Sequence, residues 1–191
     1  MVNGPPSHRL RLGLIALVAA LALVGAACSG SGSDSEASSD SAAVLHGDSA
    51  AALHGDSAAD FTVMTLDGGG FTLSEHLEDD GRPVFLNMWA SWCPPCKAEM
   101  PDINAASQAH EDVKFIGVAV NDDPAASADF ATSTGITYTI GFDTEGTVGD
   151  EYQVRGLPAT YIISADGIIL ERIIGAVSRA DIDEKLAFWF S

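Results

Sequence analysis

The sequence predicts an α/β domain at residues 60–191, built on a mixed central sheet with helices on both faces. Two nearly unbroken apolar runs, Pro83–Trp89 and Val113–Val120, are typical of strands buried on both sides. A segment of helical character follows each run, and two strands joined by a tight turn come near the end. Because strands alternate with helices first and form a hairpin later, we expect parallel and antiparallel pairs in one sheet.

The first two strands form a predicted N-terminal β-hairpin. Residues Phe61–Leu66 alternate between apolar and polar side chains, and Phe71–Leu73 resume the strand after a turn at Asp67–Gly70. The first buried strand then leads into a helix that we expect from about Pro94 to His110. The hairpin therefore extends a sheet whose centre lies further along the chain.

A second helix and a short strand follow the second apolar run. Asp123 and Pro124 open this helix, because proline is tolerated in a first helical turn, and it extends to about Ser133. Residues Tyr138–Phe142 form the short strand.

The chain closes with a hairpin and a helix. Strands Ala159–Ile163 and Ile168–Ile174 are joined by a turn at 164–167. Ser178 is the predicted N-cap of the last helix, with Asp181 as its capping partner. The helix presents one apolar stripe to the sheet, made of residues spaced four and three apart: Ile182, Leu186 and Trp189.

Charge excludes two classes of partner. The chain has 27 acidic and 9 basic residues and a net charge of -18. Such a protein repels nucleic-acid phosphates and anionic lipid headgroups, so nucleic-acid binding and electrostatic membrane binding are not expected. The acidity favours solubility and identifies no partner.

Residues 1–27 have the pattern of an export signal. Arg9 and Arg11 precede an uncharged apolar run, Leu12–Ala27, which is shorter than the roughly 20 residues of a spanning helix. Cys28 follows two alanines, which resembles a bacterial lipoprotein signal in which this cysteine is lipid-modified. Ordinary cleavage and an uncleaved anchor are the alternatives, and all three place the remaining chain outside the cytoplasmic membrane.

Residues 28–59 form a predicted flexible linker rich in Ser, Ala, Gly and Asp. An eight-residue repeat lies within it: Ser41–Asp48 is followed by the closely similar Ser49–Asp56. His46 and His54 recur in the two copies as candidate metal ligands, but we favour solvated spacer residues because no further ligands lie near them.

The chemistry of the chain is predicted at Trp92-Cys93-Pro94-Pro95-Cys96, where a buried strand ends and a helix begins. The free N–H groups and the dipole of a helix start stabilise a thiolate there, so Cys93 is the expected nucleophile. Cys96 lies one turn further along the same face and is the expected resolving thiol. The two prolines stiffen the loop and contribute no N–H.

Other uses of two cysteines three apart fit less well. A zinc site would need a second ligand pair, and haem attachment would need a histidine where Lys97 stands. A purely structural disulfide would close too short a loop to stabilise much. A peroxidatic cysteine, as in the peroxiredoxin family, would have Thr or Ser in place of Ala90.

Residues Asn87–Pro101, which contain this motif, resemble the thioredoxin superfamily and its TlpA/ResA-like, DsbE-related branch of extracytoplasmic thiol-disulfide oxidoreductases. The resemblance covers roughly residues 60–191 and implies a thioredoxin-like fold with an AhpC/TSA redoxin domain. Residues 122–142 resemble the helix and strand that this branch inserts into plain thioredoxin. Asn87 stands where cytoplasmic thioredoxin has a buried aspartate.

The resemblance also implies roles for further residues. Gly156–Thr160 is similar to the family's Gly-x-Pro-x-Thr loop, so Pro158 is expected to be cis and to pack beside the cysteines, with the backbone of Leu157 pairing with an extended substrate. Glu99 matches a glutamate of this branch and is expected to move protons for Cys96, with a raised pKa if it is half-buried. The substrate-contacting residues implied in this way are Trp92, Pro94, Pro95, Leu157 and Pro158.

The combined expectation is a tethered enzyme with no cofactor that exchanges disulfides with exported proteins through Cys93 and Cys96. The resemblance implies two directions of electron flow. One is reduction, for example of apocytochrome c before haem attachment, with electrons from a membrane thiol carrier of the CcdA/DsbD type; the other is oxidation of exported proteins. We favour reduction because the tether and Glu99 match the members of the family that act in cytochrome maturation. A thiol-based metal carrier is the alternative from another class, although no third ligand lies near the pair.

Overall fold

A computed structural model describes residues 55–191, and seven strands of this part of the chain form one sheet. The strands are β1 (Thr62–Thr65), β2 (Gly70–Thr72), β3 (Val84–Trp89), β4 (Lys114–Val120), β5 (Thr139–Asp143), β6 (Ala159–Ile163) and β7 (Ile169–Ile174). Their order across the sheet is β2-β1-β5-β4-β3-β6-β7. β3, β4 and β5 are parallel and every other pair is antiparallel, which confirms the predicted mixed sheet.

Five helices lie in the described residues. They are α1 (Leu73–Asp79), α2 (Pro94–Ala109), α3 (Pro124–Ser133), α4 (Thr147–Glu151) and α5 (Arg179–Phe190). No pattern in the sequence predicted α1 and α4, because helices of 7 and 5 residues are too short for an apolar stripe to recur. The prediction that Leu73 belongs to a strand is wrong, because this residue begins α1.

Two apolar clusters cover the two faces of the sheet. One contains buried side chains of α2, α3 and α5, and the other contains side chains of α1 and α4. β3 separates them, and all six of its residues are buried, as the unbroken apolar run predicts. The expectation of helices on both faces is confirmed, although the second face is covered by the two helices that were missed.

The last helix begins as predicted. The Ser178 side chain accepts a hydrogen bond from the backbone N–H of Asp181, whose carboxylate accepts from the backbone N–H of Ser178. Ile182 and Leu186 are buried against the sheet and Trp189 is partly buried, which confirms the apolar stripe.

Residues before position 60, the predicted start of the domain, also contact the sheet. Ser57 pairs in antiparallel fashion with Ile168, beside the start of β7. The predicted signal at 1–27, the candidate lipidation site Cys28, most of the linker, and His46 and His54 lie outside the described residues. Among residues 55–191, no helix is both long and apolar enough to cross a membrane.

Candidate active site

The two cysteines of the motif lie where β3 leads into α2. Cys93 and Cys96 are joined by a disulfide, and their Cα atoms are 5.3 Å apart. Cys96 is fully buried, whereas Cys93 keeps 4% of its surface exposed. A partner thiol therefore reaches the sulfur of Cys93 more readily than that of Cys96.

The backbone around Cys93 explains why the helix begins here. Cys93 is the N-cap of α2 with an extended backbone, and Pro94 and Pro95 occupy the first turn, where an N–H would have no helical partner. The backbone N–H of Cys96 donates to Cys93 Sγ at 3.3 Å. Among residues 55–191 this is the one hydrogen bond to that sulfur, because neither proline has an N–H to offer.

Trp92 is exposed beside Cys93. Its side chain is 62% exposed, and its indole N–H donates to the carbonyl oxygen of Asn121 at 3.5 Å. Trp89, three residues earlier, is fully buried in the core, as the sequence predicts. A large exposed aromatic side chain next to Cys93 is suited to contact another polypeptide.

Glu99 is buried in α2, one turn beyond Cys96. It retains only 3% exposure, and its two carboxylate oxygens accept hydrogen bonds from Asn87 Nδ2 and from the backbone N–H of Val177, both at 2.9 Å. Burial raises the pKa of Glu99 to about 7, against the two hydrogen bonds, which lower it. The carboxyl can therefore hold or release a proton near neutral pH.

Two polar side chains on neighbouring strands, Asn87 and Thr160, form a hydrogen-bonded chain with Glu99. Asn87 on β3 pairs with Thr160 on β6, and its Nδ2 also donates to Thr160 Oγ1 at 3.1 Å. Asn87 and Thr160 are both fully buried. No pattern in the sequence predicted that Asn87, Thr160 or Val177 would contact Glu99 or lie in the site.

Asp122 fixes the loop that carries the dithiol, and no sequence pattern singled it out. Its carboxylate accepts from the backbone N–H and the hydroxyl of Ser91, the residue before Trp92, and from the hydroxyl of Ser127 on α3. Burial alone would raise the pKa of Asp122, but these hydrogen bonds outweigh it and hold the pKa below its usual range. An ionised Asp122 therefore ties the active-site loop to α3.

The loop before β6 lies at the same end of the sheet as the cysteines. The Leu157–Pro158 peptide is cis, which confirms that expectation, and Pro158 is buried. Ala159 pairs with Met88, near the end of β3, and Leu157 packs against the cluster that contains both cysteines. Within the described residues, the N–H and carbonyl of Leu157 take part in no backbone hydrogen bond.

This arrangement provides a slightly exposed sulfur at a helix start, a fully buried second sulfur, and a buried carboxyl whose pKa is about 7. The two sulfurs are the groups that thiol-disulfide exchange uses, and the carboxyl can accept or donate a proton near them. Among residues 55–191, no group of three His, Cys, Asp or Glu side chains is placed to hold a metal ion.

Comparison with known proteins gives concordant matches. Residues 54–172, which include both cysteines, match the AhpC/TSA family. The thiol-disulfide oxidoreductase ResA of Geobacillus kaustophilus is 33% identical over 129 residues, which cover 66% of this chain and 72% of that protein.

Solved structures agree with the sequence matches. A secreted Mycobacterium tuberculosis disulfide oxidoreductase homologous to E. coli DsbE has a TM-score of 0.61 and 29% identity, covering 67% of this chain and 95% of that one. The exposed lipoprotein thioredoxin of Streptococcus pneumoniae has a TM-score of 0.58 and 27% identity, covering 68% of this chain and 99% of that one.

Proposed function

Since the chain belongs to the AhpC/TSA family and is a thiol-disulfide oxidoreductase of thioredoxin-like fold, we propose that Cys93 and Cys96 are its redox-active pair. The observation that carries the proposal is the position of this pair. A slightly exposed sulfur caps a helix of 16 residues, and a fully buried sulfur lies one turn inside it.

The reaction proceeds in two exchanges. The Cys93 thiolate attacks a substrate disulfide, so that a mixed disulfide forms and one substrate thiolate leaves. The Cys96 thiolate then attacks Cys93 Sγ, which restores the Cys93–Cys96 bond and releases the second substrate thiolate. The substrate gains two electrons and the enzyme loses two, and an external dithiol donor must return them.

Glu99 acts in the second exchange. Cys96 is buried and must lose its proton before it attacks, and a buried thiol does not ionise readily. Glu99, one helical turn away with a pKa of about 7, accepts that proton when ionised and returns it when the pair is next reduced. Asn87 and Val177 hold the carboxylate in place through its two hydrogen bonds.

Reduction is the direction that we propose. Stabilising the Cys93 thiolate would favour the dithiol and make the pair oxidising. Here a single backbone N–H reaches the Cys93 sulfur among the described residues, and the two prolines supply none. The helix start still stabilises a Cys93 thiolate, but with fewer N–H donors it does so less than a helix start without prolines would. Less stabilisation of the thiolate favours the disulfide form of the enzyme, so the dithiol tends to pass its electrons on.

Exported proteins are the proposed substrates, with the haem-binding cysteines of apocytochrome c as one example. An extended polypeptide would lie against Trp92, Pro94 and Pro95 and pair with the backbone of Leu157, next to Pro158. A membrane dithiol protein of the CcdA/DsbD type is the proposed electron donor.

We place the enzyme outside the cytoplasmic membrane, anchored through a lipid on Cys28. The apolar run before Cys28 supports export. The similar S. pneumoniae protein is itself an exposed lipoprotein, and the M. tuberculosis protein is secreted.

Trapping tests the proposed roles of the two sulfurs. Cys96→Ser should leave Cys93 able to attack but unable to release, so a mixed disulfide with exported proteins accumulates and disappears on reduction. Cys93→Ser is the matched control and should trap far less. Equal trapping by both variants, or none by either, would contradict the assignment.

A redox titration tests the direction. A reduction potential near −270 mV, as in thioredoxin, would agree with a reductant, whereas one near −120 mV would agree with an oxidant. The titration is independent of trapping, because both directions pass through the same mixed disulfide.

A further inference from the structure

The linker contains the sequence LHGDSAA twice, at Leu45–Ala51 (the first copy) and at Leu53–Ala59 (the second copy). Gly55–Ala59, the last five residues of the second copy, lie against residues 167–169, where the last hairpin enters β7 at one edge of the sheet. The N–H of Gly55 donates to the carbonyl of Ile169 at 2.8 Å, and the N–H of Ile169 donates to the carbonyl of Asp56 at 2.9 Å.

Two more hydrogen bonds complete this docking. The N–H of Ala58 donates to the carbonyl of Gly167 at 2.8 Å, and the Tyr152 hydroxyl donates to the carbonyl of Ala59 at 2.8 Å. Ala58 and Ala59 also pack against the apolar cluster that contains side chains of α1 and α4. Each of these hydrogen bonds uses a backbone group of Gly55–Ala59. Any segment that has the same backbone conformation and equally small side chains can therefore form them.

The first copy of the repeat meets the same requirements. Leu45–Ala51 and Leu53–Ala59 have the identical sequence LHGDSAA, displaced by eight residues. Gly55 has a φ of 83°, a conformation that favours glycine, and the first copy has Gly47 at the corresponding position. We therefore propose that Gly47–Ala51 of the first copy is a second docking segment for the start of β7, interchangeable with Gly55–Ala59.

Chain connectivity determines which copy prevails. Asp60 follows the second copy directly and is itself fixed, because its carboxylate accepts from the N–H and hydroxyl of Ser74 at 2.9 and 2.8 Å. Docking the first copy leaves residues 52–59 as an extra loop. Closing this eight-residue loop lowers the population of the arrangement with the first copy docked about twentyfold, because the probability that the loop ends meet falls with the 3/2 power of loop length. Segments of small residues specify strand register weakly, so both registers are accessible.

Exchange between the copies changes the length of the tether. If Cys28 is the anchor, as proposed above, docking the first copy shortens the chain between anchor and domain by eight residues, or about 26 Å of extended chain. This consequence depends on the proposed anchoring, whereas the docking of either copy does not.

Hydrogen exchange of the Ile169 amide tests the inference, because this donor belongs to the domain and its acceptor belongs to the docked copy. Four full-length chains are compared in detergent: the wild type, Gly55→Pro/Ala58→Pro, Gly47→Pro/Ala50→Pro, and the variant with all four changes. Each proline removes an N–H that the docked segment donates or would donate.

The first-copy variant should exchange like the wild type. The second-copy variant should lose about twentyfold in protection or less, because the first copy takes over. The variant with all four prolines should lose protection completely. If the second-copy variant exchanged as fast as the variant with all four prolines, the two copies would not be interchangeable. If all four chains exchanged equally, docking would not protect this amide. Either result would overturn the inference, and neither bears on catalysis by the cysteines.

Discussion

Replacing Glu99 by Gln tests whether a buried carboxyl titrates near neutral pH beside the dithiol. Burial raises the pKa of Glu99 from 4.5 to about 7. Below pH 4.5 the group is protonated in both the folded and the unfolded chain and costs nothing. Between pH 4.5 and 7 the unfolded chain releases the proton while the folded protein keeps it, so the free energy of unfolding falls as pH rises.

The size of the effect follows from that shift. Each unit of pKa corresponds to about 1.4 kcal/mol, so ionising Glu99 should remove about 3 kcal/mol of stability between pH 4.5 and 7. Gln cannot ionise, and the variant loses this slope. Its NH₂ group meets one of the two N–H donors that now face carboxylate oxygens, which adds a cost of about 1–3 kcal/mol that does not depend on pH.

Urea unfolding of the disulfide form, measured from pH 4.5 to 8, checks this. The variant should be the less stable protein at pH 4.5, and the wild type should lose that advantage by pH 8. Glu75→Gln, at an exposed site on α1, is the matched control and should follow the wild type at every pH. A constant difference between wild type and Glu99→Gln across the range would refute the assigned titration.

The same variant tests the proposed proton transfer. Reduced Glu99→Gln should attack substrate disulfides through Cys93 at the wild-type rate but resolve the mixed disulfide more slowly at neutral pH. Wild-type kinetics in both steps would remove Glu99 from the mechanism while leaving its effect on stability intact.

Three further changes give separate outcomes. Asp122→Ala should cost about 2–3 kcal/mol in urea unfolding, because it leaves the donors of Ser91 and the buried Ser127 without their acceptor. Asp129→Ala, at an exposed site on α3, is the control and should cost little. Trp92→Ala should change the free energy of unfolding by no more than about 0.5 kcal/mol, since the side chain is 62% exposed. It should slow reduction of a protein disulfide more than reduction of a small-molecule disulfide, and equal slowing of both would argue against substrate contact. Gly117→Ala should lower the free energy of unfolding by about 1–3 kcal/mol, because the added Cβ would lie 3.0–3.2 Å from packed aromatic and aliphatic atoms. Gly156→Ala is the control: no atom lies within 4 Å of its added Cβ, so thermal unfolding should show no steric cost.

The sequence by itself determined the elements whose causes are local. The unbroken apolar run of β3 requires burial on both sides, and all six residues are buried. The dithiol at a helix start follows from Cys93-Pro94-Pro95-Cys96, because prolines are tolerated where a helix begins. The Ser178–Asp181 capping box needs only residues three apart.

Tertiary structure decided what surrounds the dithiol. Glu99 receives a hydrogen bond from Val177, 78 residues away, and Asp122 holds Ser91 across 31 residues. No periodicity encodes such pairs, since they arise only when the strands are placed side by side. Burial of Glu99 is equally a result of packing, so the elevation of its pKa to about 7 is a property of the folded protein. Tertiary structure also decided the docking of Gly55–Ala59 at the start of β7, because backbone hydrogen bonds cannot be predicted from the pattern of side chains.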